Sequence, residues 1–380
     1  MKLFTLLIVA VAGAFGTASP IYAESIPATH ADILIGMAGP LTGPNGWLGE
    51  QTERGLALAV AELNAAGGVL GRQVEVVTAD DYCDGEQAIA AAKKLIAAGV
   101  AAVFGHPCSG AAIPASRAYA DAGIVLISDG ATNPQLTDES RPNVFRVCGR
   151  DDRQGAMAGE YLAGRWGNKR ISILHDGQAY GQGIAWETKR RLNELGGEEV
   201  LFEAVEPGEV DYFAAISMLQ ANSIDVVYFG GYAPEAGLIL RQARSQGFGL
   251  RLVTGDGVVT EDFSLIAGPA AEGALSTSFA EPLDRPEAAE VVAAFRARSY
   301  EPIGTLYTYA AIQAWAQAVE KAGTLELDAL IAALRSEQFH TVLGRICFDA
   351  RGDVTGYEPF AWYVWTGDHY EPVDPAALVD

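Results

Sequence analysis

The chain alternates short, almost wholly apolar runs with stretches of helical spacing, and it does so in two successive series. In the first, residues 33–38, 74–80, 100–104, 124–128 and 144–148 read as strands. Between them, 55–66 and 111–122 carry helical periodicity, and a further helix starts at Asp84 and stops near Gly99. Asp84, with Gln87 three places on, supplies the acceptor that a helix start needs. The second series has helices at 155–166, 184–195, 211–221 and 234–246 and strands at 170–175, 198–204, 224–229 and 252–254. Strands apolar on both faces belong to parallel sheets covered by helices. The expected fold class is therefore α/β, with two doubly wound parallel-sheet lobes.

From about residue 286 the order changes. Helical stretches at 286–299, 308–322 and 327–335 precede extended segments at 347–348 and 360–365. A chain that returns to the first lobe and ends in the second explains this, with several lobe crossings acting as a hinge. The expected lobes are 24–149 plus 280–346, and 150–279 plus 347–380. At roughly 150 residues per domain, 380 residues suffice for two cores.

Residues 1–23 stand apart. Met1-Lys2 is a short positive start, 3–15 is uncharged and apolar, and small and polar residues lead to Tyr22-Ala23-Glu24. This is the pattern of a secretory signal cleaved after Ala23, since a membrane anchor needs about 20 apolar residues. An exported product is expected. With 26 Lys and Arg against 48 Asp and Glu, the net charge is −22 and no basic cluster appears. Nucleic acid is excluded as a partner on that balance.

Export makes the four cysteines candidates for disulfides. Cys83, Cys108, Cys148 and Cys347 form no CxxC pair, which argues against a zinc knuckle or thioredoxin-like site, and they allow three pairings. Cys83 follows strand 74–80 and Cys108 follows strand 100–104. If those strands are neighbours, their carboxyl ends bring the two thiols together.

The motifs of catalysis are missing: no GxSxG, no HExxH, no P-loop and no GxGxxG opening a helix. His30, His106, His175, His340 and His369 are scattered. In His175-Asp176 the neighbouring side chains point to opposite sides of a strand end, which suits packing better than a base and its partner. Asp80-Asp81 and Asp151-Asp152 read as caps and solvated turns. No reaction, metal or cofactor is specified. Glycine-rich loops at the strand ends are the stronger signal. Ser109 opens a helix, where its hydroxyl and the first N–H groups make an anion site. Asp256, flanked by Gly255 and Gly257 in the second series, offers a carboxylate to a cation. Facing each other across a cleft, the two would suit a zwitterion.

Several segments closely resemble the leucine/isoleucine/valine-binding proteins, type I periplasmic solute-binding proteins of ABC importers. They are Asp32-Ile33 through Gly43-Pro44, Asp81-Tyr82-Cys83-Asp84, Gly105-His106-Pro107-Cys108-Ser109, His175 through Gly181, and Tyr228 through Glu235. The resemblance runs in order from about Ala31 to Tyr363. It implies two lobes joined by a three-strand hinge, closure on a small ligand, and a disulfide matching Cys83–Cys108. It implies that Ser109 and Thr132 offer hydroxyls to an amino-acid carboxylate beside Cys108, Gly130 and Ala131. Tyr232 and Asp256 would then receive the ammonium, and Tyr180 would close over the ligand.

Departures from the family pattern concern the ligand's side chain. Asp256 stands where Glu is usual, and Leu48, beside Trp47, where an aromatic often lines the pocket. Pro107 replaces an aliphatic residue, Asp129 adds a negative charge that must face solvent unless the ligand differs, and the stretch 304–307 around Leu306 is shortened. Cys148 and Cys347 fall where the first and third crossings are expected, so a second disulfide across the hinge is expected. The implied function is capture of an amino acid, branched-chain or otherwise neutral and aliphatic, by a periplasmic monomer without cofactor or catalysis, and delivery to a membrane permease. The alternative is a related solute such as urea, a short amide or an aromatic acid, for transport or sensing.

Overall fold

The computed structural model describes residues 32–367 and 369–378. The expected signal (1–23) and residues 24–31 lie outside them. Lobe 1 begins with five parallel strands, β1 (Ile33–Gly39), β2 (Val74–Asp80), β3 (Ala102–Gly105), β4 (Val125–Ser128) and β5 (Val144–Arg146). They lie in the order β2-β1-β3-β4-β5. Helices α1 (Gly46–Ala65), α2 (Gly85–Ala98), α3 (Ser109–Ala122) and α4 (Gln135–Asp138) connect them. Asp84 caps α2 as its sequence indicates, its Oδ1 accepting from the Glu86 and Gln87 N–H groups at 3.0 and 2.9 Å. Gly99 ends that helix at φ +77°, a conformation that costs glycine little.

Lobe 2 repeats the plan. Strands β6 (Ile171–His175), β7 (Glu199–Ala204), β8 (Val226–Gly230), β9 (Arg251–Thr254) and β10 (Leu275–Phe279) alternate with α5 (Asp151–Trp166), α6 (Ala179–Glu194), α7 (Phe213–Ala221), α8 (Ala233–Ser245) and α9 (Glu261–Ala267). The chain then returns to lobe 1 with α10 (Ala289–Arg296), α11 (Thr305–Ala322), α12 (Leu327–Ser336) and a small sheet of β11 (Phe339–Thr341), β12 (Gly344–Phe348) and β13 (Val354–Thr355). Trp315 of α11 packs edge-on against Phe104 of β3 in the lobe 1 core. Finally β14 (Phe360–Thr366) and β15 (His369–Pro372) add antiparallel to lobe 2, giving the order β15-β14-β10-β9-β8-β6-β7. The sequence reading omits β10 and α9, whose short, Ser-, Thr- and Gly-interrupted runs carry little periodicity.

The chain passes between the sheets three times, after β5, after β10 and after β13. The crossings touch. Ala280 N–H donates to Pro359 O at 2.9 Å, and the Tyr357 hydroxyl donates to Val147 O. A Cβ on Gly149 would lie 2.3 Å from the Phe360 ring, so only glycine lets these strands approach. No helix among the described residues is long and apolar enough to cross a membrane.

Three expectations need correction. The boundary at 346/347 falls inside β12, which pairs with β11 and β13; the third crossing comes later, between β13 and β14. For the same reason Cys347 sits opposite Thr355 in the small sheet, Cys148 is buried at the first crossing, and both are free thiols rather than a bridge. Strands β2 and β3 are not neighbours, because β1 runs between them. The Cys83–Cys108 disulfide forms all the same, with Cα atoms 5.4 Å apart. Both loops fold over the end of β1, with Asp81 N–H on Gly39 O at 3.0 Å and His106 N–H on Ala38 O at 2.6 Å. Tyr82, Cys83 and His106 take positive φ to do so. The buried His106 holds the arrangement, its Nδ1 2.7 Å from Asp81 Oδ2 and its Nε2 3.0 Å from the Tyr119 hydroxyl.

Candidate functional site

Both parallel sheets reverse their strand order next to their first strand, between β1 and β3 in lobe 1 and between β6 and β8 in lobe 2. Loops leaving such a point diverge and open a crevice at the strands' carboxyl ends. Every expected site residue lies at those ends. Trp47 and Leu48 follow β1, Cys108 and Ser109 follow β3, and Gly130, Ala131 and Thr132 follow β4. Tyr180 follows β6, Tyr232 follows β8 and Asp256 follows β9.

On the lobe 1 side, Cys108 precedes the first turn of the 14-residue α3, and Ser109 Oγ accepts from Asn133 N–H at 3.1 Å, leaving its own proton to donate. Thr132 is buried, and its hydroxyl faces the Asp151 carboxylate. The Ala131 N–H is taken by Ser128 Oγ at 3.1 Å. A Cβ on Gly130 would meet the Pro107 side chain at 2.9 Å, so that glycine lets the two loops pack. Leu48 packs on the buried cluster that includes Cys83, Cys108, Tyr180 and Tyr232, and the half-buried Trp47 has an unpartnered Nε1.

On the lobe 2 side, the Tyr180 and Tyr232 rings lie 5.2 Å apart, and the Tyr180 hydroxyl donates to Asp256 Oδ1 at 2.9 Å. Burial pushes the Asp256 carboxyl up to about 6, against the Tyr180 and Gln154 contacts that favour its charge. Asp151, at the first turn of α5, is fully buried, and its carboxylate lies against the Thr132 hydroxyl of the other wall. Burial, then the Asp256 charge, holds its carboxyl well above the usual range. The walls meet. Asp151 N–H donates to Thr132 O at 3.0 Å, and Asn133 Nδ2 donates to Ala179 O at 2.6 Å. The Tyr232 hydroxyl lies 3.7 Å from Cys83 Sγ, which, being disulfide-bonded, can only accept.

The profile of the periplasmic binding protein family matches residues 32–369. The chain belongs to that family. It is 45% identical over 336 residues to the Leu/Ile/Val-binding protein homolog 1 of Brucella suis, covering 87% of this chain and 91% of that one. Among solved structures, a leucine-binding protein from Thermotoga maritima superposes with a TM-score of 0.83 at 26% identity, covering 90% of this chain and 98% of that one. A branched-chain amino acid transporter substrate-binding protein from Streptococcus pneumoniae, in complex with isoleucine, gives 0.78 at 28% identity, covering 90% and 99%.

Against the sequence reading, this periplasmic binding protein differs at Asp129 and Asp151, and it places Leu306. Asp129 turns neither to solvent nor to the cleft. Its Oδ2 accepts from Thr52 at 2.7 Å and from Thr308, inside lobe 1. Burial raises that carboxyl, against those two hydroxyls. Leu306, in the first turn of α11, is fully buried in the lobe 1 core. Asp151 is not a solvated cap; its neighbour Asp152 is solvated and pairs with Arg150 at 3.0 Å, though neither side chain caps α5. Sequence alone gave one usable signal for Asp151, its place just past the first crossing, where a side chain at a helix start faces the cleft.

Proposed function

We propose that the protein captures a branched-chain or other neutral aliphatic amino acid in the periplasm and presents the closed complex to the permease of an ABC importer. The observation that carries this reading is one buried seam in which a hydroxyl and a helix start on one wall face carboxylates on the other. The Thr132 hydroxyl and the start of α3 lie on one wall, and the Asp151 carboxylate lies against that hydroxyl from the other, beside Asp256. A zwitterion satisfies both walls. Its carboxylate takes Ser109, Thr132 and the first N–H groups of α3, and its ammonium takes Asp256, Asp151 and the Tyr232 hydroxyl. Tyr180 covers it while holding Asp256.

The side chain then lies toward Leu48, Trp47 and the Cys83–Cys108 disulfide, an apolar lining that suits an aliphatic group. Nothing is transformed; exclusion of water strengthens the charged contacts, and the hinge equilibrium shifts to the closed form. The unit at work is a monomer. Thermal-shift and calorimetric titration with the common amino acids, urea, short amides and aromatic acids test the reading. Stabilisation by leucine, isoleucine or valine supports it, and a response confined to ligands without an ammonium sinks it.

A further inference from the structure

Arg146, at the end of β5, is the only lysine or arginine buried from solvent among the described residues. Its guanidinium is engaged by two carbonyls, a carboxylate and a hydroxyl. NH1 donates to Ala131 O at 2.8 Å and to Asn133 O at 3.0 Å, the two carbonyls that flank Thr132. Nε donates to Asp353 Oδ1 at 2.6 Å, and NH2 donates to the Thr137 hydroxyl. In a trans peptide the C=O and the following N–H point in opposite directions. Fixing Ala131 O on Arg146 therefore turns the Thr132 N–H away from Arg146. The remaining Thr132 carbonyl is taken by Asp151 N–H from lobe 2. Asp353 is shared, because its Oδ2 accepts from Arg150 at 2.8 Å, and Arg150 lies on the first crossing.

We propose that Arg146 is the positioning residue of the carboxylate subsite, aiming the Thr132 N–H and hydroxyl at the ligand through the Ala131 and Asn133 carbonyls, and tying that loop to the first crossing through Asp353 and Arg150. The inference rests on the amino-acid reading of the cleft. It explains how an anion site is built with no cation in contact with the anion. The buried charge sits behind the loop and orients neutral donors that face the ligand. It also explains why one loop serves both walls, since the same residue presents its N–H side to the ligand and its carbonyl to α5.

The test uses the whole protein and leucine, with two readouts: the dissociation constant, and the leucine-induced movement of the Thr132 and Gly257 backbone amide signals in NMR spectra. The double variant R146Q/D353N removes both charges together, so neither is left buried alone, and Arg150 keeps Asp138 and Asp152. The expected result is weakening for leucine by roughly 10- to 100-fold, the loss that follows when hydrogen bonds to a charged group fail. The Thr132 signal should lose most of its leucine-induced movement while that of Gly257, on the opposite wall, keeps its own. An unchanged Thr132 movement, or equal losses at both amides, overturns the proposal whatever the affinity. R146K carries the same test if the double variant does not fold, since it keeps a charge for Asp353 but lacks the fork that grips two carbonyls. Wild-type protein that takes up no amino acid in the same titration overturns the functional reading and this inference with it, whereas normal wild-type uptake with an unaffected variant overturns the inference alone.

Discussion

The Tyr180 hydroxyl donates to Asp256 Oδ1 at 2.9 Å while accepting the Gly257 N–H at 2.9 Å. One phenol thus fixes a carboxylate and the backbone that carries it. The approach is close enough that a Cβ on Gly255 would lie 2.6 Å from that hydroxyl, and one on Gly257 2.8 Å from the ring. The glycines flanking Asp256 are therefore spacers for Tyr180. They let a side chain one methylene shorter than glutamate be held in place by a neighbour.

Removing the carboxylate should abolish binding and spare the fold. For Asp256→Ala, amino-acid affinity should fall by roughly 30-fold or more, the scale for losing one member of a buried charge pair. The apo protein should keep its unfolding midpoint or gain slightly, because a raised carboxyl charge leaves the interior. Tyr180→Phe should cost about tenfold. Calorimetric titration with apo thermal melts checks both, and undiminished affinity in the Asp256 variant would place the ammonium elsewhere.

Binding and apo stability should respond to pH in opposite senses. Burial pushes the Asp256 carboxyl up to about 6, well above the ordinary carboxylate range. Its protonated form therefore contributes stability that is complete below the unfolded value and lost as pH rises through about 6. Asp176, pushed by burial to about 7, and Glu281, pushed by burial to about 8, act in the same direction. An ammonium ligand needs the ionised form. Apo thermal midpoints should thus decline from pH 5 to pH 8 while affinity rises across pH 5 to 7. Parallel trends would show that Asp256 does not face the ligand.

Thiol counting on denatured, unreduced protein should find two free thiols, Cys148 and Cys347. Replacing Cys83 and Cys108 by serine should cost on the order of 3 kcal/mol for a loop of this size. Amino-acid affinity should also weaken, because Cys108 precedes Ser109 and Cys83 meets Tyr232 across the seam. Zero thiols would restore the hinge bridge.

Gly149→Ala probes the hinge. The added methyl meets the Phe360 ring and Pro359 at under 3 Å, and overpacking of this kind costs about 1–3 kcal/mol. Because the contact joins the first and third crossings, the variant should lose ligand-induced compaction in small-angle scattering. A wild-type response would show that the crossings move apart freely.

Sequence alone determined what rests on local chemistry. The doubly repeated apolar rhythm dictates two helix-covered parallel sheets, and Asp84 and Gly99 mark the ends of α2. The glycine-rich loops place Ser109, Thr132, Tyr180, Tyr232 and Asp256 at strand ends. Only the tertiary structure decided what depends on which strands are neighbours and which groups are enclosed. With β1 between β2 and β3, the disulfide arises from loops rather than adjacent strands. With Cys347 inside β12, the second bridge is lost. Burial alone separates Asp151 from Asp152 and turns Asp129 toward Thr52 and Thr308. A chain's sequence fixes each residue's own preferences, whereas the desolvation of a carboxylate and the reach of a guanidinium depend on atoms brought together from more than a hundred residues away, as Arg146 and Asp353 are.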